Sequence, residues 1–133
     1  MRQSIIQSLK FPQFKLAPSK IEGAGVGVFA VNDVPQDYPV FGPKGQVYRI
    51  LWSETSDISD SLRDYIRGIC HSDSEGFYID RHLDQLDLSY YVNHSETPNL
   101  WHDSKADVYY SNRKILEGEE LTVLYPIEER DWL

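Results

Sequence analysis

The chain has 133 residues, 41% of them apolar, with a single cysteine and a formal net charge of -8. Length and apolar content exclude a disordered chain and fit one globular domain with a real core, and no run approaches the roughly 18 apolar residues of a membrane span. Cys70 alone rules out an internal disulfide or a cysteine-rich zinc site. The acidic balance argues against direct nucleic-acid binding, which needs a basic face, and suits capture of a basic peptide.

In chain order, residues 1–16 carry Arg2 but no long apolar stretch, because Gln7 and Lys10 interrupt them. They do not read as a signal peptide, so the expected location is cytoplasmic, and the sequon-like Asn93-His94-Ser95 carries little weight. Residues 26–31 form a short apolar run, preceded by glycines at every second position, and read as a strand. Gly42-Pro43-Lys44-Gly45 is a turn signal between the runs 38–41 and 46–52, which suggests a hairpin. Within 46–52, apolar residues fall on both parities, as in a strand covered on both faces.

Residues 53–61, rich in Ser, Asp and Glu, offer helix N-caps. Leu62, Tyr65, Ile66 and Ile69 then recur at i, i+3, i+4 and i+7, which predicts a helix over 58–69. A strand is expected over 76–79, a helical turn or strand over 86–92, and strands over 108–111 and 121–125. Many short strands, turn signals and one clear helical period indicate a mainly β fold with one or two short helices.

Two segments carry more polar chemistry than connectors need. Residues 91–99 read Tyr-Val-Asn-His-Ser-Glu-Thr-Pro-Asn, and residues 118–125 read Gly-Glu-Glu-Leu-Thr-Val-Leu-Tyr. The first is a polar loop among strand-like runs; the second is a turn feeding a strand that ends on a tyrosine. Upstream, residues 19–30 hold Gly23-Ala24-Gly25-Val26-Gly27-Val28-Phe29-Ala30, and residues 110–115 lead toward Gly118. Taken together and in this order, the four segments resemble the signature motifs of SET-domain protein lysine methyltransferases, in a minimal form without flanking zinc-binding cysteine clusters. Minimal members of that family occur in bacteria and large viruses, which would extend the expected location to a host nucleus.

The resemblance implies a β-clip of small curved sheets whose C-terminal segment threads under a loop. It implies one domain over residues 1–133, with core motifs at 19–125, a helical insert at 53–76 and a closing segment at 126–133. It implies S-adenosylmethionine as methyl donor, S-adenosylhomocysteine as product, no metal, and a lysine in a basic protein segment, such as a histone tail, as acceptor. A monomer or homodimer is expected. The alternative is a catalytically silent module that binds basic peptides.

Lysine arrives charged, with an ordinary pKa near 10.4, so such an enzyme must desolvate and align the amine. By motif, Tyr125 matches the catalytic tyrosine. A tyrosine's ordinary pKa near 10 keeps it protonated, so its role is to orient the amine rather than act as a strong base. Ala24, Gly25, Val26 and Gly27 match the glycine motif that faces the donor, Asn93 and His94 match the donor-binding pair, and Trp132 resembles a tail tryptophan that packs on adenine. Tyr91, Trp101, His102 and Tyr125 are the candidate channel for the lysine stem. Three positions depart from the family pattern: Val26 where many relatives have a basic or aromatic residue, Leu124 where many have Asp or Asn, and Glu96 where zinc-bearing members have Cys.

Overall fold

The computed structural model describes residues 1–125. Helix α1 (Arg2–Ser8) buries none of its side chains. Strand β1 (Phe14–Pro18) pairs antiparallel with β2 (Val26–Ala30) along its full length. Strands β3 (Pro39–Phe41), β8 (Val108–Ser111) and β7 (Leu100–Asp103) form an antiparallel three-stranded sheet in the order β3-β8-β7. Strand β4 (Tyr48–Leu51) pairs with β5 (Gly76–Ile79), and α2 (Asp60–Ile69) lies between them in sequence. Strands β6 (Asn93–His94) and β9 (Thr122–Val123) form a two-residue parallel pair.

Two apolar clusters hold these small sheets. Val28, Ala30, Val34, Val92, Leu100, Ile115 and Leu121 make the first. Trp52, Ile66, Cys70 and Phe77 make the second, where α2 packs on the β4–β5 pair. Tyr90 packs on the second cluster and donates its hydroxyl to Asp80 Oδ1 at 2.5 Å. Burial, followed by that bond, pushes the Tyr90 phenol well above the usual tyrosine range. Burial likewise raises the Cys70 thiol to about 11, which leaves it a core thiol with little thiolate character.

Helix α2 starts at Asp60 because Ser59 takes the cap: its hydroxyl accepts the Leu62 N–H at 3.1 Å. That satisfies one of the orphan donors of the first turn. Of the expected stripe, Ile66 is buried and Ile69 packs beside it, whereas Leu62 and Tyr65 are exposed.

The expected hairpin across residues 42–45 does not form. β3 is claimed by β8, through Tyr38 N–H to the Ser111 hydroxyl at 2.9 Å, Ser111 N–H to the Tyr38 carbonyl at 3.0 Å and an edge-on Phe41–Tyr109 contact. β4 turns away to cover the insert. Nor is the run 46–52 covered on both faces: Val47, Tyr48 and Leu51 are exposed, while Ile50 packs on the second cluster and Trp52 is buried in it. Of the strand expected over 121–125, the ladder keeps Thr122–Val123, and Leu124 is exposed.

The C-terminal segment runs between β2 and the polar loop, in line with the expected crossing. On one side, Gly118 N–H reaches the Ala30 carbonyl at 2.9 Å, Ala30 N–H the Glu119 carbonyl at 3.0 Å and Leu121 N–H the Val28 carbonyl at 2.7 Å. On the other side, the buried Asn99 amide donates to the Glu120 carbonyl at 2.9 Å and accepts the Thr122 N–H at 2.8 Å. A buried amide satisfied at both ends fixes the crossing segment, because leaving either end unpaired would cost its desolvation.

Leu100→Ala, at a side chain 1% exposed, is expected to lower unfolding free energy by about 2–5 kcal/mol, whereas Leu62→Ala, 37% exposed, should cost under about 1 kcal/mol; denaturant titration checks both. Arg49 bonds Asp73 at 2.8 Å and, with N–H groups of Glu75 and Gly76, holds that carboxyl down to about 2. A carboxyl lowered in the fold contributes stability that is complete above its unfolded pKa near 4 and is lost as pH falls through its folded one. Arg49→Gln should therefore begin acid unfolding at higher pH than the parent within the window from about 4 to 2, followed by circular dichroism.

Candidate active site

The glycine segment, the polar loop and the C-terminal segment converge on the Glu120 carboxylate. Glu120 accepts the Ser19 hydroxyl at 2.8 and 3.0 Å, the Lys20 N–H at 2.9 Å and the Asn93 side-chain amide at 3.0 Å. The same Asn93 Nδ2 donates to the Val26 carbonyl at 3.0 Å and lies 3.2 Å from the Ser19 hydroxyl. A Cβ on Gly27 would fall 2.3 Å from Glu120 Oε2 and 3.2 Å from Asn93 Nδ2, so a residue without a side chain is needed there. Gly25 has φ +76°, the left-handed conformation that glycine adopts without strain, and its carbonyl accepts the Ser19 N–H at 2.8 Å.

Two cavities open beside this hub, with volumes of about 840 and 250 Å³. Ala24, Asn93, Tyr90 and Tyr125 line both. Val26, Tyr65 and Tyr91 line the smaller one, and the Tyr65 and Tyr91 hydroxyls are hydrogen-bonded, which raises the Tyr65 phenol. His71, Ser72, His94, His102, Asp107 and Tyr109 line parts of the larger one. Lys44 also reaches its wall, with its ammonium 2.9 Å from the Ser89 hydroxyl and 4.3 Å from the Tyr90 ring centre.

Tyr125 is fixed at both ends of the residue. Its hydroxyl donates to the Val92 carbonyl at 2.7 Å, and its backbone N–H donates to His94 Nδ1 at 2.9 Å. Because Nδ1 accepts, the neutral His94 ring carries its proton on Nε2, where it faces Glu96 Oε1 at 3.1 Å. The His94 and Tyr125 rings lie 5.3 Å apart. His94 is thus a bracket for Tyr125, with both nitrogens engaged.

The structure brings together Ala24, Val26, Asn93, His94, Tyr91, His102 and Tyr125 along cavity walls. Gly25 and Gly27 sit behind that wall rather than on it. Trp101, expected in the channel beside His102, lines neither cavity. Alternation along β7 sends neighbouring side chains to opposite faces, so Trp101 stacks on Tyr110 at 5.3 Å and remains 46% exposed, while His102 stacks on Tyr109 at 4.4 Å. Trp132 lies outside the described residues. Sequence reasoning passed over Ser19, Glu120, Tyr65, Asp107 and Ser72. Glu120 stands inside the 118–125 motif, but nothing local tells that its partners sit 27, 100 and 101 positions upstream.

Glu120 is the far end of a flexible side chain, so a Cβ at Gly27 could displace it, but only by breaking several hydrogen bonds worth about 0.5–1.5 kcal/mol each. Gly27→Ala is therefore expected to destabilise by about 1–3 kcal/mol, and the cost should be smaller in a Glu120→Ala background. A double-mutant cycle by denaturant unfolding measures that coupling.

A family model described as SET domain matches residues 25–126. A curated relative, Histone-lysine N-methyltransferase SETD7 of Halocynthia roretzi, is 33% identical over 128 residues, a match that covers 86% of this chain and 32% of that protein. The chain thus spans about a third of the length of that relative. Among solved structures, a chain of a humanized mutant of the Chaetomium thermophilum Polycomb Repressive Complex 2 bound to the inhibitor GSK126 matches with a TM-score of 0.59 at 23% identity, over 89% of this chain and 15% of that one. At that identity the likeness speaks for the fold. The family match takes in most of the chain, from the glycine segment to Tyr125, and its parts meet in space around Glu120: this chain belongs to the SET domain family.

Proposed function

We propose that the protein is an S-adenosylmethionine-dependent protein-lysine N-methyltransferase. The observation that carries this reading is the position of Tyr125, held at hydroxyl and backbone on the wall shared by two cavities. A group-transfer site needs two ligands to meet at one rigid point, and alignment there supplies much of the rate.

The residues present fit the donor. The larger cavity lies within the 300–1,000 Å³ range of small-molecule sites. The Gly23–Ala24 turn and Asn93–His94 form one stretch of its wall, and Gly27 keeps that turn close to the polar loop. Ala24, Asn93 and His94 would hold the donor from this wall, Val26 would flank it from the smaller cavity, and Trp132 would close over it. When bound, S-adenosylmethionine supplies a sulfonium methyl group that a neutral amine attacks in line. The chain's own part is to seat, strip water and orient. Tyr125, its proton committed to the Val92 carbonyl, presents its oxygen to an amine N–H. The aromatic faces of Tyr109, His102 and Tyr90 line the approach and suit a cationic or methylated lysine head.

In this reading residues 19–125 do the work, the insert at 53–76 flanks the lysine's entry, and 126–133 close the site. The acceptor is a lysine in a basic segment, which the acidic chain would draw in. A histone tail has that chemistry, and the printed name of the Halocynthia relative, a histone-lysine methyltransferase, supports it.

Radiolabelled methyl transfer to basic proteins tests the reading. Tyr125→Phe should reduce turnover by about 10²-fold or more, the cost of losing one preorganised polar group at a reacting centre, while S-adenosylhomocysteine binding by calorimetry stays within a few-fold. Peptide binding without any heat from S-adenosylhomocysteine, and no transfer, would instead identify a silent binding module.

A further inference from the structure

The geometry points to His102, backed by Asp107, as the group that takes the proton from the incoming lysine ammonium; the inference rests on the methyltransferase reading above. A lysine enters as a cation and must lose one proton before its nitrogen can attack, and Tyr125 is poorly placed to take it, since its own proton is spent on the Val92 carbonyl. Imidazole is the side chain whose ordinary titration falls near neutral pH. Three imidazoles line the larger cavity: His71, His94 and His102. His94 has Nδ1 committed to the Tyr125 N–H and Nε2 to Glu96. His71 belongs to the insert, with its ring against Tyr78 at 5.3 Å.

His102 is arranged differently. Its Nε2 faces Asp107 Oδ1 at 2.8 Å, and Asp107 Oδ2 accepts the Lys44 backbone N–H at 3.1 Å. Asp107 adopts φ +53°, a left-handed turn conformation that a non-glycine residue rarely takes, and its carboxylate closes the β7–β8 turn against His102. Burial alone would raise the Asp107 carboxyl, but the bonds from His102 and Lys44 outweigh it and hold the group below the usual range. With Nε2–H donated to an ionised carboxylate, the neutral ring presents Nδ1 as acceptor, and Nδ1 receives no hydrogen bond from the described residues. Tyr109 stacks on the ring at 4.4 Å and fixes its plane.

The step balances without a further reactant. One lysine Nζ–H bond breaks and leaves its electron pair on nitrogen; an Nδ1–H bond forms; Asp107 offsets the imidazolium charge. Lys44, Arg67 and the other two imidazoles share the cavity and oppose a second cation there, Glu22 and Asp107 favour it, and Tyr78, Tyr90, Tyr109 and Tyr125 are the phenols that face it. The proton then leaves to solvent, since the His102 side chain is 35% exposed. Asp107 is a positioning residue in this scheme, acting through the imidazole.

The experiment is the pH dependence of kcat/KM for methyl transfer from pH 6 to 10, in the parent, His102→Phe and Asp107→Asn, with S-adenosylhomocysteine affinity and thermal unfolding measured on each. His102→Phe keeps an aromatic ring on Tyr109. The expected result is an acid limb that moves up by more than one pH unit and a loss at pH 7.5 of about tenfold or more, with donor-product affinity within threefold. Asp107→Asn should show the same displacement in smaller measure. A His102→Phe profile that overlays the parent overturns the assignment and leaves the methyltransferase reading standing. No transfer by the parent at any pH overturns both.

Discussion

One carboxylate governs the geometry of this molecule. Glu120 gathers a hydroxyl and a backbone N–H from residues 19–20 and a side-chain amide from residue 93, and so ties three distant stretches of chain into one wall. A half-buried carboxylate that accepts several hydrogen bonds is costly to leave unpaired, so the three stretches hold their places together. Gly27 follows from it, because a side chain there would push the carboxylate off its hydrogen-bond partners. The cavity wall of Ala24 and Val26 follows from Gly27. Tyr125, five residues after Glu120, inherits its position through β9 and the His94 bracket.

The two apolar clusters divide the labour around that wall. The first fastens β2 and the crossing segment; the second gives the insert its own small core around Trp52, against which Arg63 and Arg67 lay their guanidinium groups at 5.1 Å. Tyr90 and Val92 connect them, the former packing into the insert cluster and the latter into the main one. The larger cavity lies where these units face each other, lined by Val92 and Tyr125 on one side and by residues 67–72 on the other.

The site was legible in the chain to the extent that its residues are contiguous. Asn93 and His94 stand in one motif, Tyr125 ends another, and Ala24 to Gly27 make a third, and it was the resemblance of these motifs to the SET-domain pattern, not their spacing, that implied they would meet. What pairs with what was not legible. β3 carries three residues and β9 two, too few for any alternation to show, and β1 ends on a proline. The turn at 42–45 looked like a hairpin because turn residues report a change of direction but not the next partner. Asp107 and Ser19 were missed for a related reason: each acts through a residue distant in the chain or across a turn, and a lone Asp or Ser has no periodicity to mark it. Trp101 and His102 were both assigned to the channel because they follow Asn99, where the resemblance implies a channel aromatic; the alternation that separates them becomes decisive only once β7 is known to be a strand.

The bonds that assemble the wall span long stretches of sequence: Ser19 and Glu120 are 101 positions apart, Lys20 and Glu120 100. Closing such loops is entropically slow compared with forming α2 or the β4–β5 pair. During synthesis on a ribosome, a chain that has emerged only as far as β8 can form α2 and the β4–β5 pair, yet it lacks Ile115 and Leu121 of the main cluster and the Glu120 that joins the glycine segment to the polar loop. The cavity wall is therefore assembled late, after the local units that flank it.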